Sequence, residues 1–230
     1  MIGKLKINKF IVPIIIFELL VVVFYITDFF IGRPWTKPTI LADMDGESSF
    51  CCWFSVVQLA LVAFLSAVVA YYNSSWEKKL TWLLWGIPVI FVLLSMDENV
   101  QIHEWLGQKS DMFLEGGSRL NTPFVRTGIW FLLLGIPFIF LLSAYICFLK
   151  KFFKNTYNYR SMIIGFAIFL IGSLGFEGLS NLFPDAQATG SILLVSIEEF
   201  LEMLGVTVIL NGMLNLCDIR IKVRADDTSV

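Results

Sequence analysis

Eight side chains able to ligate a cation or carry a proton fall within or at the ends of long apolar stretches. Asp97, Glu98, His103 and Glu104 lie in SMDENVQIHEWLG (95–107), Glu177 in GSLGFEGLSN (172–181), and Glu198, Glu199 and Glu202 in SIEEFLEMLG (196–205). Carboxylates with Asn, Gln and Ser oxygens nearby suit hard cations, so the expected metal ligands are these eight and the expected ions Ca²⁺, Mg²⁺ or Mn²⁺. Zn²⁺ and iron fit less well, because a catalytic zinc usually takes two or three His or Cys ligands and the chain has a single His.

The elements that must position these groups are membrane helices. The chain is 57% hydrophobic and only 16% charged, too apolar for a soluble globule, which carries about 25% charged residues. A helix needs about 20 apolar residues to cross a bilayer. Six stretches meet that length, at 10–32, 50–72, 80–104, 127–149, 161–183 and 191–216. The first follows MIGKLKINK, which resembles the charged start of a signal peptide. Its apolar part is too long for one and no small-residue cleavage site follows, so it reads as a retained span.

Basic residues orient the bundle. With the N-terminus inside, the inner segments hold Lys4, Lys6, Lys9, Lys78, Lys79, Lys150, Lys151, Lys154, Arg160, Arg220, Lys222 and Arg224, which is 12 of 17. Arg33, Lys37, Lys109, Arg119 and Arg126 fall outside. The positive-inside rule then puts both termini in the cytoplasm. The expected fold is all-α, one six-span bundle over 1–230, with 217–230 a short polar cytoplasmic tail. The short inner loops 73–79 and 150–160 make spans 2–3 and 4–5 antiparallel neighbours.

This topology sets the depth of every acid. At about 1.5 Å of rise per residue, Asp97 and Glu98 lie near the outer end of span 3, Glu177 in the outer half of span 5, and Glu202 roughly 16 Å below the outer face in span 6. Helical faces agree. Glu198, Glu199 and Glu202 fall within about 100° of one another. Ser173, Glu177, Ser180 and Asn181 share a face, with Gly172, Gly175 and Gly178 allowing close helix contact. Asp97, Gln101 and Glu104 form a stripe that a continuous helix extends to Gln108, Asp111 and Glu115, with His103 pointing away from it. Ser55, Gln58 and Ser66 mark the inward face of span 2. Glu18 stands alone in the inner half of span 1 and reads as a packing residue. DMDGESS (43–49) has its Gly at the wrong place for a calcium loop and reads as a turn and N-cap for span 2.

A mid-helix charge costs about 2.5–3.5 kcal/mol on insertion scales. No Lys or Arg lies in the outer half of any expected span to offset six such acids. They are therefore protonated, hydrated or gathered around a cation. The expected function is cation- or proton-coupled transport, or cation sensing, through an outward-facing carboxylate cluster. The alternatives are a metal-dependent intramembrane enzyme and a non-catalytic subunit of a membrane complex. Expected partners are the lipid bilayer and other membrane subunits or further copies of the chain. The expected location is the cell membrane, plasma or bacterial inner.

Much other chemistry is excluded. No Lys within a span offers a retinal attachment point, and one His cannot ligate a haem twice. There is no phosphate-binding loop, dinucleotide fingerprint or nucleophile elbow, and no basic patch for nucleic acid. Cys51, Cys52, Cys147 and Cys217 lack metal spacing and read as small apolar residues.

The topology has a direct test. A cysteine placed at Asp185 is expected to react with an impermeant thiol reagent only from outside the cell. Labelling only from the cytoplasm would invert the bundle and remove the shared depth of the acids.

Overall fold

Long apolar runs with no water to bond their amides close their hydrogen bonds internally, as helices. The structure, a computed structural model, describes residues 7–72, 81–117, 119, 122–153, 157–183, 185 and 188–227. Every element among them is helical. The long ones are α1 (Ile11–Phe30), α3 (Phe50–Tyr72), α5 (Gly86–Val100), α7 (Ile136–Phe153), α8 (Tyr157–Leu170) and α10 (Thr189–Asp227). Short pieces join them: α2 (Thr36–Leu41), α4 (Thr81–Leu84), α6 (Ile102–Ser110) and α9 (Glu177–Ser180). Lys4, Lys6, Lys154 and the inner loop 73–79, with Lys78 and Lys79, lie outside the described residues. The expected polar tail is helical as far as Asp227.

Among the described residues, five stretches are long and apolar enough to cross a membrane: Ile11–Phe30, Phe50–Tyr72, Trp82–Val100, Leu132–Lys150 and Tyr159–Ser180. Their outward side chains are large and bare, among them Leu20, Phe64 and Phe140, as lipid-facing positions require. The sixth expected span, 191–216, lies inside the 39-residue α10 and is not among the five. α10 is instead the central helix, buried along most of Met203–Cys217. α8, α3 and α1 pack around it, and Val206, Ile209, Leu210 and Met213 are buried against Leu59, Val62, Phe91 and Phe166.

Local signals set the helix ends. Ser49 precedes α3 and its Oγ accepts from the Cys52 amide at 3.1 Å, so the expected N-cap forms. The expected polar face of span 2 also turns inward, with Ser55, Gln58 and Ser66 buried. All four cysteines are free thiols. Spans 2 and 3 lie side by side as expected. Spans 4 and 5 touch more lightly, through contacts such as the Tyr159 hydroxyl donating to Ile146 O at 2.7 Å.

The tightest packing is between α8 and α10. A Cβ on Gly165 would stand 2.6 Å from Gly205 O, and one on Gly205 would stand 2.6 Å from Phe169 N. Only glycine permits this approach of two backbones. Of the three glycines expected to allow close contact, only Gly172 does so across helices, against Glu198 O and Glu202. Gly175 meets only its own helix, and Gly178 faces open space. The substitutions are therefore expected to separate. Gly165→Ala or Gly205→Ala should lower stability in detergent by about 1–3 kcal/mol, the usual penalty of overpacking. Gly178→Ala should be neutral or mildly stabilising, since Ala is the better helix former by up to about 1 kcal/mol. Equal melting of all three variants would show that this crossing does not organise the bundle.

Candidate functional site

Span 3 ends in a break that the sequence pattern conceals. Gln101 adopts a left-handed conformation (φ 55°, ψ 47°), uncommon for a residue with a side chain of this size. The chain restarts as α6, and Asp97 from the preceding helix caps the new one. Its Oδ1 accepts from the His103 backbone amide at 2.9 Å, and its Oδ2 lies 2.7 Å from His103 Nδ1. The expected continuous stripe through Gln101 to Glu115 is thus corrected: the helix breaks, α6 ends at Ser110, and Asp111 instead accepts from Arg119 Nε at 2.8 Å. The Glu115 side chain lies outside the described residues. The placement of His103 away from the acids is corrected too. The break swings its ring toward Asp97 and into the space between the helices.

From there a polar chain crosses to span 5. The His103 ring lies 5.3 Å from that of Trp130, and Trp130 Nε1 donates to Glu177 Oε1 at 3.1 Å. Both flanking helices widen at this level. Residues Phe131–Gly135 and Ile171–Phe176 are π-helical, a distortion common at functional sites. The second immediately precedes Glu177.

These elements enclose a cavity of about 770 Å³. Asp97, Glu98, His103, Glu104, Glu177, Glu198, Glu199 and Glu202 all line it. Asp45 and Glu47, from the loop before span 2, join them, making nine carboxylates. The level shared by separate helices, deduced from topology, is therefore a shared space. The acids form a wall and not a cage. Among the described residues, no three His, Cys, Asp or Glu side chains gather into a group able to hold a metal ion.

Two lining residues had not been expected. Arg119 and Arg126 count as outer-loop residues in the sequence, yet both reach the cavity. Asn181 anchors the second: its Oδ1 accepts from the Arg126 and Thr127 amides at 3.0 and 3.3 Å. The Arg126 guanidinium donates to Ser191 Oγ at 2.5 Å, at the start of α10. Arg119 Nη1 donates to Arg126 O at 2.7 Å. The loop between spans 3 and 4 is thus fastened to span 5 and to α10 and carries positive charge to the rim. The only hint in sequence is that these are the two arginines between spans 3 and 4. Trp130 gave no hint beyond an interfacial aromatic.

His103 lies beyond the end of span 3 at Val100. Burial favours its neutral form, but the hydrogen bond to Asp97 and that carboxylate's charge outweigh burial. Glu177 and Glu104 add to them, and the pKa rises above the ordinary histidine value. A raised folded-state pKa stabilises the fold fully below the unfolded value of about 6.5, and that contribution is lost as pH rises through the raised value. The wild type should therefore melt above His103→Gln by the most at mildly acidic pH, on the order of 1 kcal/mol for a partly exposed pair. The gap should close as pH rises. A gap independent of pH would mean that His103 stays neutral beside Asp97.

Comparison with curated proteins and with solved structures finds no match. Residues 12–216 match the family model described as Domain of unknown function (DUF8692), and the chain belongs to that family.

Proposed function

We propose that the protein is a six-span membrane protein with both termini in the cytoplasm, whose outward-facing acidic cavity takes up cations or protons in the course of coupled transport or cation sensing. The observation that carries this reading is the one cavity lined by nine carboxylates against two arginines and one histidine. Groups so placed in a membrane protein usually serve ion or proton pathways. The 12-to-5 bias of basic residues supports the orientation, and the enclosure of α10 by apolar helices supports its membrane position. On that reading the cavity opens away from the cytoplasm, at the cell membrane.

The width of the cavity favours protons or a hydrated cation over a bare one. A dehydrated divalent ion needs six or more oxygens within about 2.0–2.6 Å, and these acids are spread around a space of about 770 Å³. The same spread gives less support to a metal-dependent enzyme with activated water. The partner-subunit reading remains the contrast case, in which the acids meet another chain's basic surface.

Thermal unfolding of the purified protein tests the proposal. A cation bound only to the folded state raises stability by about 2.7 kcal/mol at a hundredfold excess over its Kd. Melting should then rise with Ca²⁺, Mg²⁺ or Mn²⁺ relative to chelator, and Glu199→Gln or Glu202→Gln should shrink the rise. If protons fill the site, metal has no effect. Acidification then stabilises, because the folded state binds more protons than the unfolded one, and the Gln variants melt at or above wild type. Stability indifferent to metal and pH, with Gln variants like wild type, would overturn the proposal in favour of the partner subunit.

A further inference from the structure

Deeper in the bundle a second polar cluster is sealed from solvent. Glu18 of α1, Gln58 of α3 and Thr207 of α10 are 0%, 2% and 0% exposed. Thr207 Oγ1 donates to Glu18 Oε1 at 2.5 Å. Gln58 Nε2 donates to the same oxygen at 2.8 Å and to Thr207 Oγ1 at 2.7 Å. These contacts crowd one side of the carboxyl group. Glu18 Oε2 and Gln58 Oε1 are buried with no hydrogen-bond partner among the described residues.

An ionised carboxylate bare on one oxygen in such a place is strongly disfavoured. Among the described residues no opposite charge pairs with it. The sequence has no Lys, Arg or His in α1, in α3, or in α10 from Thr189 to Cys217. What the packed helices bring are further acids and thiols: Glu199 and Glu202 on the outer side, Cys51 and Cys52 from α3, and Cys217 toward the inner end. A positive species must therefore sit at Oε2. A metal cation needs room and several oxygens, and only two lone acceptors are present. A proton needs neither.

The cluster also lies within a polar file. Along α10, Glu199, Thr207, Asn211 and Asn215 recur at multiples of four residues, and each step of four turns about 40° around the axis, so the file winds about the helix. Outward, Glu199 and Glu202 line the acidic cavity. Inward, Asn211 Oδ1 accepts from the Asn8 amide at 2.9 Å, near the N-terminal end of α1. The polar file spans about 24 Å of helix from Glu199 to Asn215 at the standard rise.

We propose that Glu18 holds an exchangeable proton at the middle of this file, as the step between the outer carboxylates and the inner end of the bundle, with Gln58 and Thr207 as its positioning residues. In the forward step an O–H bond of a protonated cavity acid or of hydronium breaks as the Glu18 Oε2–H bond forms. The reverse step passes the proton inward. The charge travels as H⁺, and nothing is oxidised or reduced. The transport role rests on the proposed function. The proton on Glu18 does not.

Infrared spectroscopy of the full-length protein in proteoliposomes at neutral pH, joined to dye-reported proton flux, tests this. A carboxylic-acid carbonyl band is expected that shifts in D₂O within minutes. Glu18→Gln should remove it and Thr207→Val should displace it. Glu18→Gln, neutral and of equal size, should leave melting near wild type and keep the outer cavity's response to metal or pH, while lowering proton flux at least tenfold. A wild type without such a band means an ionised Glu18 and overturns the proposal. So does a band that stays unexchanged for hours, which marks a purely structural carboxyl, and so does Na⁺-dependent melting abolished by Glu18→Gln, which marks a metal site. Should Glu18→Gln not fold, displacement of an exchanging band by Thr207→Val carries the test. An exchanging Glu18 band with no response in the outer cavity leaves Glu18 as a proton site and overturns only the reading of the cavity.

Discussion

Two glycines let the backbones of α8 and α10 meet, and much of the site follows from that contact. Gly165 and Gly205 bring the helices so close that no Cβ fits between them. The same crossing sets Gly172 against the carbonyl of Glu198 and the side chain of Glu202. The acidic turn of α10 is thereby pressed to the wall of span 5, where that span widens ahead of Glu177. Because α10 is wrapped by apolar neighbours, it can carry three glutamates, a threonine and two asparagines without meeting lipid. The central helix is the polar one, and its neighbours supply the hydrophobic coat.

A second constraint operates at the outer end. The left-handed turn at Gln101 uncouples α6 from span 3, and Asp97 bridges the break by capping one helix from the other. That carboxylate serves two purposes. It satisfies an orphan amide at a helix start, and it orients the only imidazole in the chain. The ring in turn meets Trp130, which reaches Glu177. Removing the cap would disturb the helix end and the polar chain together.

What could be read from the sequence divides along physical lines. Hydropathy revealed helices of the right length, and counting along them placed the acids close enough to share a cavity, since both depend on position along one chain. Ser49 was legible as a cap because capping is local. The kink at Gln101 was not, because Gln has none of the left-handed preference that marks Gly, Asn or Asp; reading through it sent His103 to the wrong face. The pairing of Gly165 with Gly205 was equally hidden. Each is visible as a glycine, but their meeting is a tertiary fact separated by 40 residues. Gly175 and Gly178 looked equivalent to Gly172 for the same reason. Glu18 was seen but undervalued, since its partners Gln58 and Thr207 are distant in sequence and only packing unites them.

The wide turn over Ile171–Phe176 bears on how members of this family should be aligned. A π-helical turn accommodates one residue more than the α-helical turn it replaces, while the helix on either side keeps its facing. A relative one residue shorter here would therefore carry its gap in the middle of an apolar span, far from any loop, with its counterpart of Glu177 still turned inward. An alignment scheme that forbids gaps within membrane helices would instead shift every downstream residue by one. It would set Phe176 or Gly178 opposite that glutamate, and a shared acid would read as a substitution.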